Sequence, residues 1–248
     1  MSARDRSRRE RYVRVECRLA TAVGGTDGLY LDSILEASMC RRAKTFMESS
    51  HGDRHAYFVP SHGDSLPVDA VGKLPIPIVR ARVGDLWIPR CSSPIFGETL
   101  ADDAANYTTA FPLDKVEHLA ESERTKIMQS GGRYKSFRLP LRVRLVERMV
   151  WFAATNHPPS ELRRRLGQIR HIGKKTSQGW GVVAGWSVDL IDNDHSWYAE
   201  SDDGPVLMRP LPADMEHPEG LIGARRGFGG CVGPYHDRRF WREIVEPC

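Results

Sequence analysis

Apolar and polar positions alternate along Tyr12–Ala20, with Val13, Val15, Cys17 and Leu19 on one side and Arg14, Glu16 and Arg18 on the other. A period of two marks a strand with one face buried. The run LYLDSILEASMCRRAKTFM then changes period. Leu31, Ile34, Leu35, Ser38 and Met39 recur at helical spacing with Asp32 near the N-terminal end, which predicts a helix from about Leu31 to Met47. Residues 48–73 are rich in Gly, His, Asp, Ser and Pro and predict loop, with a short strand at Ala56–Val59. Leu74–Val83 and Leu86–Cys91 predict two strands about a Gly84-Asp85 turn, and Pro75 and Pro77 keep the first at a sheet edge.

Ser92–Gly132 has weak patterning and reads as an insertion, with a helix within Leu113–Met128. The clearest strand signal lies in Ser136–Ala154. Phe137, Leu139, Leu141, Val143 and Leu145 alternate with Arg138, Arg142 and Arg144, then break at Glu147-Arg148 before MVWFAA. Thr155–Pro159 reads as a turn, and Ser160–Ile169 as a short helix with Ser160 as its cap and Leu162, Leu166 and Ile169 inward. Val182–Ile191 predicts a closing strand, and Asp192–Cys248 shows no clear period. Two βαβ-type halves around one antiparallel sheet make an α+β domain of ferredoxin-like (RRM-like) class. It spans residues 1–191 with an insertion at about 92–132, and residues 192–248 form an extension packed on it.

A length of 248 residues suits one domain with insertions or two small domains. The best apolar runs, Met149–Ala154 and Gly181–Val188, are strand-sized, far short of the roughly 20 residues of a membrane helix. The N-terminus has charge but no apolar stretch of the kind a secretory signal needs. Cys17, Cys40, Cys91, Cys231 and Cys248 are scattered, with no C-x-x-C pair, so a reduced, cytoplasmic protein is expected. The net charge of +4 says little, but its distribution says more. Arg133–Lys175 holds twelve Lys/Arg against Glu147 and Glu161, a local +10, which leaves −6 for the rest of the chain. Arg4, Arg6, Arg8, Arg9, Arg11 and Arg14 add an N-terminal cluster. Such asymmetry is a footprint of polyanion binding.

The chemistry concentrates in Arg170-His171-Ile172-Gly173-Lys174-Lys175-Thr176-Ser177-Gln178-Gly179-Trp180-Gly181. Its glycines permit positive φ and close approach of a phosphate. Lys174 and Lys175 bring charge, Thr176, Ser177 and Gln178 bring donors, and Trp180 offers a stacking face or a brace for the loop. The loop follows a helix and leads into a strand, the reverse of the phosphate loop of nucleotide-binding proteins, so nucleoside triphosphate binding is not expected. Arg133, Tyr134, Lys135, Arg163 and Arg164 complete the candidate RNA-binding set.

These pieces resemble the RAMP superfamily of CRISPR proteins, in which a glycine-rich loop joins the last helix to the last strand. The chain is most similar to the Cas five-like subunit of type IV effector complexes. LYLDSILEAS, GRYKSFRLPLRVRLVERMVWFAA, HIGKKTSQGWGVV and GPYHDRRFW...PC carry the resemblance. Ser33 and Glu36 stand where that family usually has small residues, and Gly-Pro-Tyr-His where it has Pro-Tyr-Trp. The resemblance implies a non-catalytic subunit, without cofactor, that binds the 5′ handle of a guide RNA and caps the backbone filament. It implies backbone subunits and a large subunit as partners, leaves target DNA near the flanking motif as an open one, and involves no membrane. The insertion at about Ser92–Gly132 would form a thumb against guide RNA and the neighbouring backbone subunit.

The alternative is a metal-independent endoribonuclease, which needs one group to deprotonate the 2′-OH and another to protonate the leaving oxygen. His171, His157, Tyr134 and Lys174 are its candidates. A free-standing RNA-binding regulator is a third reading. His51, His55 and His62 with Asp53 and Asp64 match no metal-site spacing, and Asp192, Asp194, Asp202 and Asp203 lack the Glu that closes a calcium loop. No metal is expected.

Overall fold

The structure, a computed structural model, describes residues 10–26, 28–39, 76–109, 136–233, 235 and 238–248. The arginines before Glu10, the strand expected at Ala56–Val59, the His51–Asp64 cluster and the helix expected within Leu113–Met128 lie outside the described residues. In order, the elements are β1 (Arg11–Leu19), β2 (Val23–Gly24), helix α1 (residues 31–39), β3 (Arg80–Val83), β4 (Leu86–Pro89), β5 (Ile95–Phe96), β6 (Thr99–Thr109), β7 (Phe137–Val146), β8 (Arg148–Thr155), helix α2 (Pro159–Leu166) and β9 (Val183–Ile191). Five short strands follow: β10 (Tyr198–Ser201), β11 (Gly204–Leu207), β12 (Leu211–Pro212), β13 (Ala224–Gly230) and β14 (Trp241–Pro247). The architecture is α+β and rich in small antiparallel sheets.

The alternation read in β1 is the alternation seen. Val13, Val15 and Cys17 are fully buried. Met149, Trp151 and Ala153 of β8 are buried with them, and β1 pairs antiparallel with both β8 and β9. β5 closes the far side, giving a four-stranded sheet in the order β5-β8-β1-β9. Leu31, Ile34 and Leu35 of α1 and Leu162 and Leu166 of α2 share one hydrophobic cluster with these strand residues, so both helices cover the same sheet face. The Trp151 indole is satisfied by the Leu29 carbonyl at 2.9 Å, as a buried N–H requires.

Helix α2 begins one residue earlier than the sequence suggests. Pro158 occupies the N-cap and Pro159 the first turn, so Ser160 is not the cap. A proline there gives up only an N–H that has no helical partner anyway. Glu161 sits in the first turn and Arg163, Arg164 and Arg165 in the last, in line with the helix dipole.

Two expectations change. The β3–β4 hairpin turns at Gly84-Asp85, but its strands pair only with each other. β5 takes the main-sheet position instead, helped by an isolated bridge between Cys91 and Ala153. Leu86 and Ile88 explain the displacement, because they are buried in a second cluster with Leu207, Leu211, Phe240 and Ile244. The stretch expected as an unpatterned insertion contains β5 and the long β6, which pairs with β7 from Thr99↔Val146 to Thr109↔Phe137. Residues 98–104 of that arm are exposed, so no apolar period marked them.

Residues 198–247 fold into two small sheets, β10-β11 and β12-β14-β13. This lobe is joined to α1 by a buried polar network. Arg209, fully buried, donates to the Pro89 carbonyl at 2.7 Å, the Cys231 carbonyl at 2.9 Å and the Tyr235 hydroxyl at 2.6 Å. That hydroxyl donates in turn to Asp32 at 2.6 Å. The Cys91 thiol reaches the other Asp32 oxygen at 3.2 Å, and Tyr30 stacks on Tyr235 at 4.1 Å.

Candidate nucleic-acid interface

The glycine-rich segment leaves α2, bridges back at His171↔Val182 and enters β9. It is seated on the connection that follows β1. Lys174 N–H donates to the Gly24 carbonyl at 2.8 Å and Gly181 N–H to Ala22 at 2.8 Å. The Thr21 hydroxyl donates to the Gly179 carbonyl at 2.9 Å while accepting from Val182 N–H at 2.9 Å.

Two glycines are obligatory. At Gly181 φ is +65°, and a Cβ would lie 1.9 Å from the Ile172 carbonyl oxygen. At Gly173 φ is +83°, and a Cβ would meet the Gly24 oxygen at 2.6 Å. Lys175 is the one non-glycine among the described residues with positive φ, at 58°. That conformation costs about 1–2 kcal/mol for an L-residue and tends to occur at functional sites.

Trp180 is half-buried over Gly24, where a Cβ would fall 2.7 Å from its ring, so it braces the loop against the first connection. The Lys174 stem lies along Gly25, leaving its ammonium toward solvent. Ser177, Gln178 and Gly179 are exposed; His171, Gly173, Lys175 and Thr176 are half-buried. A cleft of about 220 Å³ opens between the loop and α1, with Ser33, Ala37, His171 and Lys174 on its walls.

The +10 block divides in the fold. Arg142 and Arg144 pair with Asp102, at 2.7 and 3.1 Å, and Arg165 with Glu161 at 2.8 Å. Arg138 donates to Asn106 at 3.0 Å. Arg163, Arg164 and Arg170 are exposed and make no ion pair with a described residue. Exposed Arg148 and Lys174 likewise make no ion pair with a described residue. Arg133, Tyr134 and Lys135 lie outside the described residues.

Among the acid–base candidates, His157 Nδ1 is 2.8 Å from Glu161, away from the loop, and Tyr134 is outside the described residues. His171 and Lys174 share the cleft. Asp194 pairs with Arg90 and accepts from Ser196 N–H at 2.9 Å. Among the described residues no group of three His, Cys, Asp or Glu is arranged to hold a metal, and no helix is long and apolar enough to cross a membrane.

Sequence reasoning missed the seat of the loop, Thr21, Ala22, Gly24 and Gly25. Its signal was the adjacent pair Gly24-Gly25, the first closing β2, since glycine in a strand marks close backbone approach. No protein-family model matches the chain, and no curated protein matches it.

Proposed function

We propose that the chain is a non-catalytic, RNA-binding subunit of a type IV CRISPR effector complex that holds the 5′ handle of the guide RNA and caps the backbone filament. The observation that carries this reading is the seated glycine loop. Exposed Lys174 and the strained backbone at Lys175 stand between α2 and β9, with exposed Arg170 just ahead of them in the chain and exposed Arg163 and Arg164 on the helix that leads in. A loop held by its own backbone hydrogen bonds is preorganised, so it recognises a single strand at low entropic cost. A ferredoxin-like core is supported by the sheet order, since the strands met along β5-β8-β1-β9 are the second, third, first and fourth of these four in the chain, with both helices on one face. The β6–β7 arm is the surface for a neighbouring backbone subunit.

The test is stoichiometry. Complexes assembled on guides of two spacer lengths and weighed by native mass spectrometry should hold one copy of this chain while backbone subunits increase. A copy number that rises with spacer length makes it a repeating subunit instead. The endoribonuclease reading rests on His171 and Lys174 sharing a cleft. Site-specific cleavage of repeat RNA in EDTA, abolished by His171→Ala, would establish it in place of the capping role.

A further inference from the structure

The C-terminal lobe carries a second surface of a different chemistry. Strands β13 and β14 pair with Phe228 opposite Glu243, Arg226 opposite Val245 and Gly230 opposite Trp241. Directly opposed residues share a face and alternate residues return to it, so Arg226, Phe228, Trp241 and Glu243 stand on one side of the sheet. The intervening Ile244 is buried in the lobe's own core. Phe228 is 66% exposed, the most exposed large hydrophobic residue among the described residues. Its ring meets Trp241 edge to face, at 6.3 Å and 72°, so neither ring hides the other. The Arg238 guanidinium lies 5.6 Å over the Trp241 ring and is itself exposed. Arg226 is exposed as well, and neither arginine makes an ion pair with a described residue.

We propose that this face binds single-stranded RNA. Unstacked bases lie on the Phe228 ring and on the Arg238–Trp241 pair, and Arg226 meets a phosphate. Aromatic rings with interleaved arginines on a solvent-facing sheet suit single strands, whose bases have free π-faces. Glu243 selects RNA over DNA. A carboxylate among arginines weakens phosphate binding, but it accepts a hydrogen bond from a ribose 2′-OH, which deoxyribose lacks. The site does not depend on the glycine loop.

The experiment titrates the full chain with a fluorescein-labelled, unstructured RNA 12-mer and its DNA counterpart. Phe228→Ala, with an unchanged melting temperature, should weaken RNA binding at least about fivefold, the lower end of a lost stacking contact. Phe228→Tyr should restore it. Iodouridine placed in the RNA should crosslink to residues 224–230 or 241–247, and the DNA should bind more weakly. Full affinity in Phe228→Ala and in Arg226→Ala/Arg238→Ala, with crosslinks confined to residues 170–181, overturns the proposal and leaves the face to a protein partner. Equal or tighter binding of the DNA overturns the choice of RNA. Loss of affinity in Phe228→Ala but not in Lys174→Ala/Lys175→Ala supports this site and removes the loop from RNA binding, so the two readings fail separately.

Discussion

The two lobes of the molecule reach stability by different routes. The first, around β1, β8 and β9, is held by side chains that obey a period. Every second residue of a long strand is buried, and helical residues at spacings of three and four cover them. The second lobe is made of strands of two to seven residues. Its seam with the first is polar, with Arg209 and Asp32 fully buried and linked through Tyr235. A periodic core can lose one residue and repack. A buried charge network loses its compensation when one member goes.

The largest effect should therefore come from Arg209→Met. The substitution leaves Asp32 without its cation, removes the guanidinium's hydrogen bonds to the Cys91 and Cys231 carbonyls, and leaves the Pro89 carbonyl with the Trp197 indole alone. A loss of about 3–5 kcal/mol in denaturant unfolding is expected. Amide exchange should rise first in β12, β13 and β14 while β1, β8 and β9 keep their protection. Uniform loss of protection would mean that the lobes unfold as one and would erase the contrast.

Leu166→Ala tests the other lobe. Leu166 is fully buried between α2 and the sheet, and truncation there should cost about 2–4 kcal/mol. Val, Met or Ile at the same site should recover most of it, because a periodic core tolerates changes of shape better than loss of volume. No such graded recovery is expected at Arg209, where Lys lacks the planar fork that reaches three carbonyls and a hydroxyl.

How much the sequence revealed follows the same division. The long strands were readable because nine or ten residues allow a period to show, as in Arg11–Leu19 and Phe137–Val146. β5 was not, since two residues, Ile95 and Phe96, have no period. β10, β11 and β12 are short too, while β13 and β14, though seven residues long, carry glycines, arginines and glutamates in place of an apolar alternation. The network was hidden because Asp32 and Tyr235 are separated by 203 positions. The glycine loop was legible from composition, but its seat at Thr21–Gly25 and the division of the arginines between Asp102, Glu161 and solvent depend on folding. Arg238 and Trp241 belong to the terminal GPYHDRRFW motif, but their meeting with Phe228 was hidden because only the register of β13 on β14 and the fold around it bring them together.

A smaller effect joins the lobes through pH. Glu36 accepts from Arg80 at 2.9 Å. Burial, and then the nearby Asp32, push its carboxyl from 4.5 up to about 7, against the opposing pull of Arg80. The folded state then holds a proton that the unfolded chain releases near its ordinary value. This contribution favours folding below about pH 4.5 and is lost as pH rises toward 7. Glu36→Gln should remove that part of the slope, so melting temperatures of variant and parent should diverge in the variant's favour from 4.5 up to about pH 7, the span of the shift, and run parallel above it. Parallel curves would show that Glu36 does not titrate in this window.

The smallest expected effect on stability, and the sharpest on the contrast between the two surfaces, comes from Lys174→Ala/Lys175→Ala. The loop belongs to the periodic lobe and presents charge, whereas the Phe228 face belongs to the other lobe and presents rings. Charge and stacking differ in their response to salt. Each phosphate neutralised on a single strand steepens the fall of log K with log salt by about 0.7, whereas a ring on a base releases no counterion. If both lysines meet phosphates, the double variant should flatten the slope by about 1.4. Phe228→Ala should lower affinity by a constant factor at every salt concentration and leave the slope alone. Titrations of one RNA 12-mer from 50 to 400 mM KCl (~8-fold in salt, enough to resolve such a slope change) would separate them. An unchanged slope in the lysine variant would remove the loop from the RNA interface. A slope change in Phe228→Ala would mean that the aromatic face acts through Arg226 and Arg238 rather than through its ring.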